Sequence, residues 1–117
     1  MGYLGFPPSN LVSSNSDRRT VPRYSLLAVA ELVETASTIC IDGRIREVSR
    51  KGCYVNATST LPVNTLFRVF ISREERTFMT NGKVMYVHDG IGMGIVFVDT
   101  TEDQMEILNG WLADAAG

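Results

Sequence analysis

The sequence lacks the features on which membrane insertion and secretion depend. Its 117 residues contain no apolar run near the roughly 20 residues that span a bilayer. The opening stretch, MGYLGFPPSN, carries no positive charge, as a secretory signal would, and Phe6 stands where N-myristoylation requires Ser or Thr. These absences predict a soluble, cytoplasmic protein.

Side chains for catalysis and metal binding are also scarce. His88 is the sole histidine and has no second soft ligand at metal-binding spacing, so we interpret it as a surface turn residue. Cys40 and Cys53 lack a plausible base, and no Ser, His and Asp arrangement suggests a nucleophile. The glycines of NGKVMY and GIGMG precede no helix, unlike those of phosphate-binding loops. We therefore expect no enzyme activity, no metal and no cofactor.

The two cysteines are expected to be reduced. If the chain reverses near residues 50–51, Cys53 lies opposite about Val48 and Cys40 opposite about Leu61, too far apart for a disulfide. We expect both to be small, buried thiols in a reducing compartment.

What the sequence does contain is a regular series of strand-like segments. Six of them follow one another at spacings of about 8 to 12 residues, which predicts an all-β protein with a closed or nearly closed six-stranded antiparallel β-barrel. Alternation places Met85 and Tyr86 on opposite faces. Glycines inside the segments are expected at bends and bulges. The segments are 24–34, 39–49, 52–57, 65–72, 76–89 and 90–99, and the glycines are Gly43, Gly82, Gly92 and Gly94.

After residue 100 the apolar period changes to that of an α-helix. Thr101 and Gln104 are expected to form a capping box, and Gly110 is expected to let the helix pack closely against the barrel. We predict a single domain over residues 17–114, with this helix at about 101–114, behind a flexible leader at 1–16. The apolar stripe of the helix consists of Met105, Leu108, Trp111 and Leu112.

Charge is unevenly distributed along a chain whose net charge is −2. Seven of the eleven basic residues lie between Arg18 and Lys51, whereas residues 99–114 hold five acidic residues and no basic one. A basic N-terminal part in a chain that is acidic overall argues against duplex nucleic acid as a ligand. It is compatible with a small anion bound locally.

Three of these basic residues stand in the stretch DRRTVPR, residues 17–23. Pro22 favours extended geometry at Val21, so Arg19 and Arg23 point to the same side about 13 Å apart. Guanidinium groups bind phosphate oxygens and the O6/N7 edge of guanine bidentately. Taken alone, the stretch is also compatible with a solvated basic patch.

A second polar cluster, EVSRKG, occupies residues 47–52. By strand alternation Glu47 and Ser49 share a face, and Val48 points oppositely. A carboxylate accepts hydrogen bonds from the N1–H and N2–H groups of guanine, and a hydroxyl donates or accepts beside it. Gly52 allows a tight reversal and close approach of a ligand. The two clusters thus offer guanidinium for phosphate and one base edge, and carboxylate with hydroxyl for another.

Together, Arg19-TVP-Arg23 and Glu47-V-Ser49-RK-Gly52 resemble the two motifs of the PilZ family of bacterial cyclic di-GMP receptors, R-x-x-x-R and [D/N]-x-S-x-x-G. The tail, GIGMGIVFVDTTEDQMEILNGWL, also resembles the last strand and C-terminal helix of that family. The resemblance implies a six-stranded barrel with an arginine loop that wraps the ligand.

The resemblance covers about residues 17–114 and implies a role for each motif residue. The arginines would hold phosphates and guanine edges, the acid and hydroxyl would hold a guanine, and the glycine would shape the turn. An arginine at position 18 implies two stacked cyclic di-GMP molecules, and a receptor implies an effector protein that recognises the bound state. Glu47 stands where the family has Asp or Asn, and its extra methylene of about 1.5 Å is expected to weaken binding. The implied ligand-binding set is Arg18, Arg19, Arg23, Glu47, Ser49 and Gly52.

Two other functions stay open at this point. A PilZ-like adaptor that binds no nucleotide is favoured by Glu47 and opposed by the intact R-x-x-x-R, Ser49 and Gly52. A barrel that binds single-stranded oligonucleotides would need aromatic stacking platforms, and Tyr24 and Tyr54 are the aromatics near the basic region.

Overall fold

The computed structural model describes residues 21–117, which form a barrel of six antiparallel strands and one helix. The predicted six-stranded β-barrel with a C-terminal helix is confirmed. The predicted leader, residues 1–16, lies outside the described residues. The elements are β1 (Val29–Glu34), β2 (Cys40–Val48), β3 (Gly52–Asn56), β4 (Leu66–Arg73), β5 (Arg76–His88), β6 (Gly92–Val98) and α1 (Glu102–Ala116). Around the closed barrel the strands follow the order β1-β2-β3-β6-β5-β4.

The core lies inside the barrel and follows the alternation of the strands. In β4, Phe67, Val69 and Ile71 are buried and face the interior, as the period of two predicts. The paired strand β1 contributes Ala30 and Leu32 to the same interior. Burying each large side chain stabilises the fold by roughly 1.5–3 kcal/mol, so closure of the barrel is driven by this interior.

The first strand is shorter than predicted. The sequence suggested a strand over residues 24–34, whereas β1 begins at Val29. Ahead of it, Tyr24 forms an isolated antiparallel bridge with Val48 at the end of β2. The segment before β1 is therefore attached to β2 at Tyr24 and also at Ala28, whose carbonyl accepts from the backbone N–H of Ile45 at 3.0 Å.

Two β-bulges correct the predicted alternation. The register shifts in β2 between Ile45 and Glu47, and in β5 between Val84 and Tyr86. A bulge places one extra residue on a strand, so two successive side chains turn to the same side. Met85 and Tyr86 are accordingly both exposed, and the prediction that they occupy opposite faces is wrong.

The glycines inside strands mark close approaches rather than the bulges that we expected. Both bulges lie at non-glycine residues. A Cβ on Gly82 would lie 2.6 Å from the ring of Phe67, inside van der Waals contact. Glycine is thus required here because a core ring fills the space that any side chain would occupy.

Helix α1 covers part of β5. Thr101 is its N-cap, and the Thr101 side-chain oxygen accepts from the backbone N–H of Gln104. The Gln104 side chain does not complete a capping box with its own helix; its Oε1 accepts from the backbone N–H of Met79 in β5 at 2.7 Å. Trp111 packs edge-on against Phe78, with 6.4 Å between ring centroids. Of the predicted apolar stripe, Leu108 and Trp111 are therefore part of the core, and the half-buried Met105 and Leu112 pack against it.

Gly110 does not bring the helix close to the barrel, which corrects our expectation. A Cβ at this position would meet no atom within 4 Å, because the residue lies on the exposed face of α1. Within residues 21–117, no helix has the length and apolar character that crossing a membrane demands.

The two cysteines are free thiols in different environments. Cys53 pairs with Val48 across β2 and β3, as predicted, and its burial raises the pKa of the thiol far above the ordinary value. Cys40 instead pairs with Val33 in β1 and is exposed, so the prediction that it is buried opposite Leu61 is wrong. The reason is that its neighbour Ile41 faces the core, which turns Cys40 outward.

Candidate anion-binding site

An open pocket of about 330 Å³ lies beside the turn that joins β2 to β3. Its walls come from the segment before β1, the end of β2, the turn itself, and strands β3, β5 and β6. Two of the predicted ligand-binding residues, Arg18 and Arg19, lie outside the described residues. The other four all line this pocket: Arg23, Glu47, Ser49 and Gly52.

Arg23 reaches the pocket because its neighbour is attached to the strand that carries Glu47. Tyr24 and Val48 exchange two backbone hydrogen bonds, each 2.8 Å long. This antiparallel bridge holds the backbone at position 23 beside the end of β2. Two residues 24 positions apart in sequence are thereby brought to one place.

Arg23 and Glu47 form an ion pair across the pocket. The Arg23 guanidinium donates from Nη1 to Oε1 of Glu47 at 2.9 Å. The side chains are 48% and 35% exposed, so water screens the pair and its contribution to stability is about 0–1 kcal/mol. The arrangement is a weak, accessible contact between a cation and a carboxylate.

Ser49 shapes the turn and faces the same pocket. Its hydroxyl oxygen accepts from the backbone N–H of Lys51 at 3.1 Å, and its backbone N–H donates to the carbonyl of Gly52 at 2.8 Å. Val48 between Glu47 and Ser49 is buried, as strand alternation predicts. The acid and the hydroxyl therefore border one opening, and the hydroxyl is oriented by the turn.

Gly52 is required by the approach of β6. A Cβ at this position would lie 2.1 Å from the carbonyl oxygen of Ile95, which is a severe overlap. The neighbouring Lys51 carbonyl accepts from the backbone N–H of Phe97 at 2.8 Å, which holds the turn against β6. Gly52 thus sets the floor of the pocket through packing of the two strands.

Sequence reasoning placed Tyr54 near the basic region but missed the aromatic cluster that it forms with Tyr86 and His88 beside the pocket. Tyr54 and Tyr86 both line the pocket, with ring centroids 6.1 Å apart. The Tyr54 hydroxyl lies 2.8 Å from Nδ1 of His88, and the Arg46 guanidinium carbon lies 5.6 Å from the Tyr54 ring centroid. His88 is an exposed residue at the end of β5, and here it supports a pocket wall.

The bulges and glycines explain how this cluster forms. The bulge in β5 turns Tyr86 outward to the pocket, and the bulge in β2 turns Arg46 outward beside Glu47. A Cβ on Gly94 would lie 2.3 Å from the Tyr86 ring, so this ring lies directly over the glycine backbone. The signal available in the sequence was GIGMG, whose second and third glycines face tyrosine rings.

The groups at the border of the pocket are suited to binding an anion and a base. Guanidinium and ammonium groups meet one carboxylate, one hydroxyl and two phenol rings at its border. Cations attract an anion, the carboxylate accepts from ring N–H groups, and the exposed ring of Tyr86 provides a stacking face, whereas Tyr54 beside it is buried. Within residues 21–117 no group of three or more His, Cys, Asp or Glu side chains is placed to hold a metal ion.

A closed six-stranded barrel with one C-terminal helix and a cationic pocket beside a strand turn defines a class of small β-barrel domains. The chain belongs to the PilZ domain family, whose model matches residues 17–114. The family that the two sequence motifs suggested is thereby confirmed. Comparison with curated proteins gives no significant match.

Solved structures with the same fold have low sequence identity. The chain is similar to the PilZ domain with c-di-GMP of YcgR from Escherichia coli, with TM-score 0.70, 13% identity, and coverage of 86% of this chain and 92% of that one. The PilZ domain of CeSA from a cellulose-synthesizing bacterium gives 0.62 and 14%, with 79% and 96% covered. YcgR in complex with c-di-GMP, also from E. coli, gives 0.71 and 12%, with 83% of this chain but 45% of that chain covered. At these identities the likeness establishes the fold.

Proposed function

We propose that this protein is a cytoplasmic bacterial signalling receptor that binds cyclic di-GMP and catalyses no reaction. The single observation that carries the proposal is the convergence of Arg23, Glu47, Ser49 and Gly52 on one pocket. Membership of the PilZ family and the similar folds solved with c-di-GMP support it.

Three side chains of the pocket match groups of this ligand. Arg23 matches a phosphate or the O6/N7 edge of a guanine, and Glu47 accepts from the N1–H and N2–H groups of a guanine. Tyr86, 45% exposed, offers a face on which a base can stack. Arg18 and Arg19 complete the proposed cation set, and Arg18 is the reason to expect a stacked pair of ligand molecules.

The mechanism follows from the attachment of Tyr24, the neighbour of Arg23, to β2. Arg23 is already held beside Glu47, and Arg18 and Arg19 would join it in clamping the ligand onto the surface formed by Glu47 and Ser49. Such a change alters the face that an effector protein meets, and the ligand favours the clamped state by its additional contacts there.

Isothermal titration of the full chain with cyclic di-GMP tests the proposal. We expect saturable binding with two ligand molecules per chain. A stoichiometry of one would remove the stacked pair and keep the receptor. If neither the heat of titration nor a second binding measurement showed an interaction, the proposal would be overturned.

A second candidate is a PilZ adaptor that binds no nucleotide. The Arg23–Glu47 pair favours it, because the carboxylate already occupies the guanidinium that a phosphate would need. This candidate predicts that cyclic di-GMP leaves the melting temperature unchanged, whereas the receptor predicts a rise.

A further inference from the structure

The ion pair between Arg23 and Glu47 lies within the pocket that the proposed ligand enters. Both side chains line the pocket, and Nη1 and Oε1 are 2.9 Å apart. A carboxylate oxygen at this distance satisfies the guanidinium as a phosphate oxygen would. In the ligand-free protein, the pocket therefore supplies its own anion.

Both partners are held in place by backbone pairing. Arg23 precedes Tyr24, which is bridged to Val48 by two backbone hydrogen bonds. Glu47 is paired with Tyr54 across β2 and β3, immediately after the bulge. Because neither backbone has to be ordered when the pair forms, the contact costs mainly side-chain entropy.

The reach of the glutamate side chain is what makes the contact possible. Replacing Glu47 by aspartate at the same backbone position would draw the carboxylate back by about 1.5 Å. From 2.9 Å this leaves a separation beyond hydrogen-bonding distance. The aspartate variant thus keeps the negative charge of the pocket and loses the direct contact.

We propose that Glu47 is an internal competitor for Arg23 that sets the ligand concentration at which this receptor responds. The inference rests on the proposed function. A ligand phosphate displaces the Glu47 carboxylate from Arg23, and the released carboxylate then accepts from a guanine. The exchange lowers the affinity by the free energy of the pair, which for an exposed pair corresponds to at most about fivefold in Kd.

A double-mutant cycle measured by titration with cyclic di-GMP tests the competition. We expect Glu47→Asp to tighten binding by about two- to fivefold. In the Arg23→Ala background the same substitution should have no such effect, because nothing is left to compete for. Glu31→Asp, the same change on the exposed face of β1, is the matched control. An equal gain in both backgrounds would mean that residue 47 acts on the ligand directly, and the proposal would be wrong.

Arginine side-chain NMR of the free protein separates this proposal from the function on which it rests. The Arg23 Nε–H signal should move on Glu47→Asp and stay in place on Glu31→Asp. An unmoved signal in the first variant overturns the pair even if cyclic di-GMP binds. A moved signal without binding by any variant overturns the receptor, and the competitor role falls with it.

Discussion

At the scale of single residues, Arg23 is the basic residue within 21–117 on which binding of the proposed ligand most depends. It lines the pocket, and its neighbour Tyr24 is bridged to β2, so its guanidinium is held beside Glu47. A charge-assisted hydrogen bond is worth about 1.5–3 kcal/mol. Substitution of this one side chain should therefore remove more binding free energy than that of other exposed arginines.

We expect Arg23→Ala to weaken binding of cyclic di-GMP at least about tenfold. The measurement is isothermal titration at fixed ionic strength. Arg44→Ala is the matched control. Arg44 is an exposed arginine of β2, and it is not one of the described residues that line the pocket. Equal losses in both variants would indicate attraction by net charge and would remove Arg23 from the site.

The two thiols should differ in reactivity because they differ in burial. Burial raises the pKa of the Cys53 thiol far above its ordinary value of 9.0, so almost no thiolate forms at neutral pH. Cys40 is exposed. A disulfide reagent such as DTNB should titrate one thiol in the folded protein and two after unfolding, and Cys40→Ser should abolish the first. Rapid reaction of both thiols in the folded state would contradict the buried position of Cys53.

The raised pKa of the Cys53 thiol also makes the free energy of unfolding depend on pH. The folded state holds the neutral thiol, whereas the unfolded chain loses the proton near pH 9.0. The unfolded state then binds fewer protons than the folded state, so the free energy of unfolding falls as pH rises above this value. Below it the contribution of this group is constant.

At the scale of secondary-structure elements, two glycines with opposite environments make a matched pair. Gly52→Ala would push a methyl group against the Ile95 carbonyl and should destabilise the β3–β6 pairing by about 1–3 kcal/mol or more. Gly110→Ala lies in open space on α1 and should stabilise the fold by up to about 1 kcal/mol. Thermal unfolding of the two variants should show shifts of opposite sign, and a neutral Gly52→Ala would mean that β6 lies farther away than described.

The elements were predictable where their pattern is local. The alternation of Phe67, Val69 and Ile71 and the helical stripe around Trp111 are visible in the sequence, because each reflects one buried face. The bulges were not predictable, since an inserted residue leaves no mark in composition. For this reason the outward turn of Tyr86, and with it the aromatic wall of the site, escaped sequence reasoning.

The site itself was predictable in part. The R-x-x-x-R and E-x-S-x-x-G motifs indicated which side chains to consider, and the structure places Arg23, Glu47 and Ser49 at one pocket. The bridge from Tyr24 to Val48 depends on pairing between distant segments, which no local pattern encodes. The direct contact between Arg23 and Glu47 follows from that bridge and was likewise invisible.

At the scale of the whole molecule, ligand binding should appear as added stability. A ligand that binds only the folded state at 100 times its Kd adds about 2.7 kcal/mol to the free energy of unfolding. For a domain of this size we expect the melting temperature to rise by about 10 °C. The comparison nucleotide is GMP, which presents one guanine and one phosphate. Equal shifts with both ligands would indicate recognition of a single guanylate unit rather than of the cyclic dinucleotide.

The bridge between Tyr24 and Val48 has a practical consequence. Arg23 lines the pocket, so a dye attached at Val21, two residues earlier, would stand close to the incoming nucleotide. Its emission should respond to quenching by guanine without any alteration of the barrel wall. The architecture therefore lends itself to a single-label optical sensor, in which two hydrogen bonds of Tyr24 anchor the chain three residues from the dye.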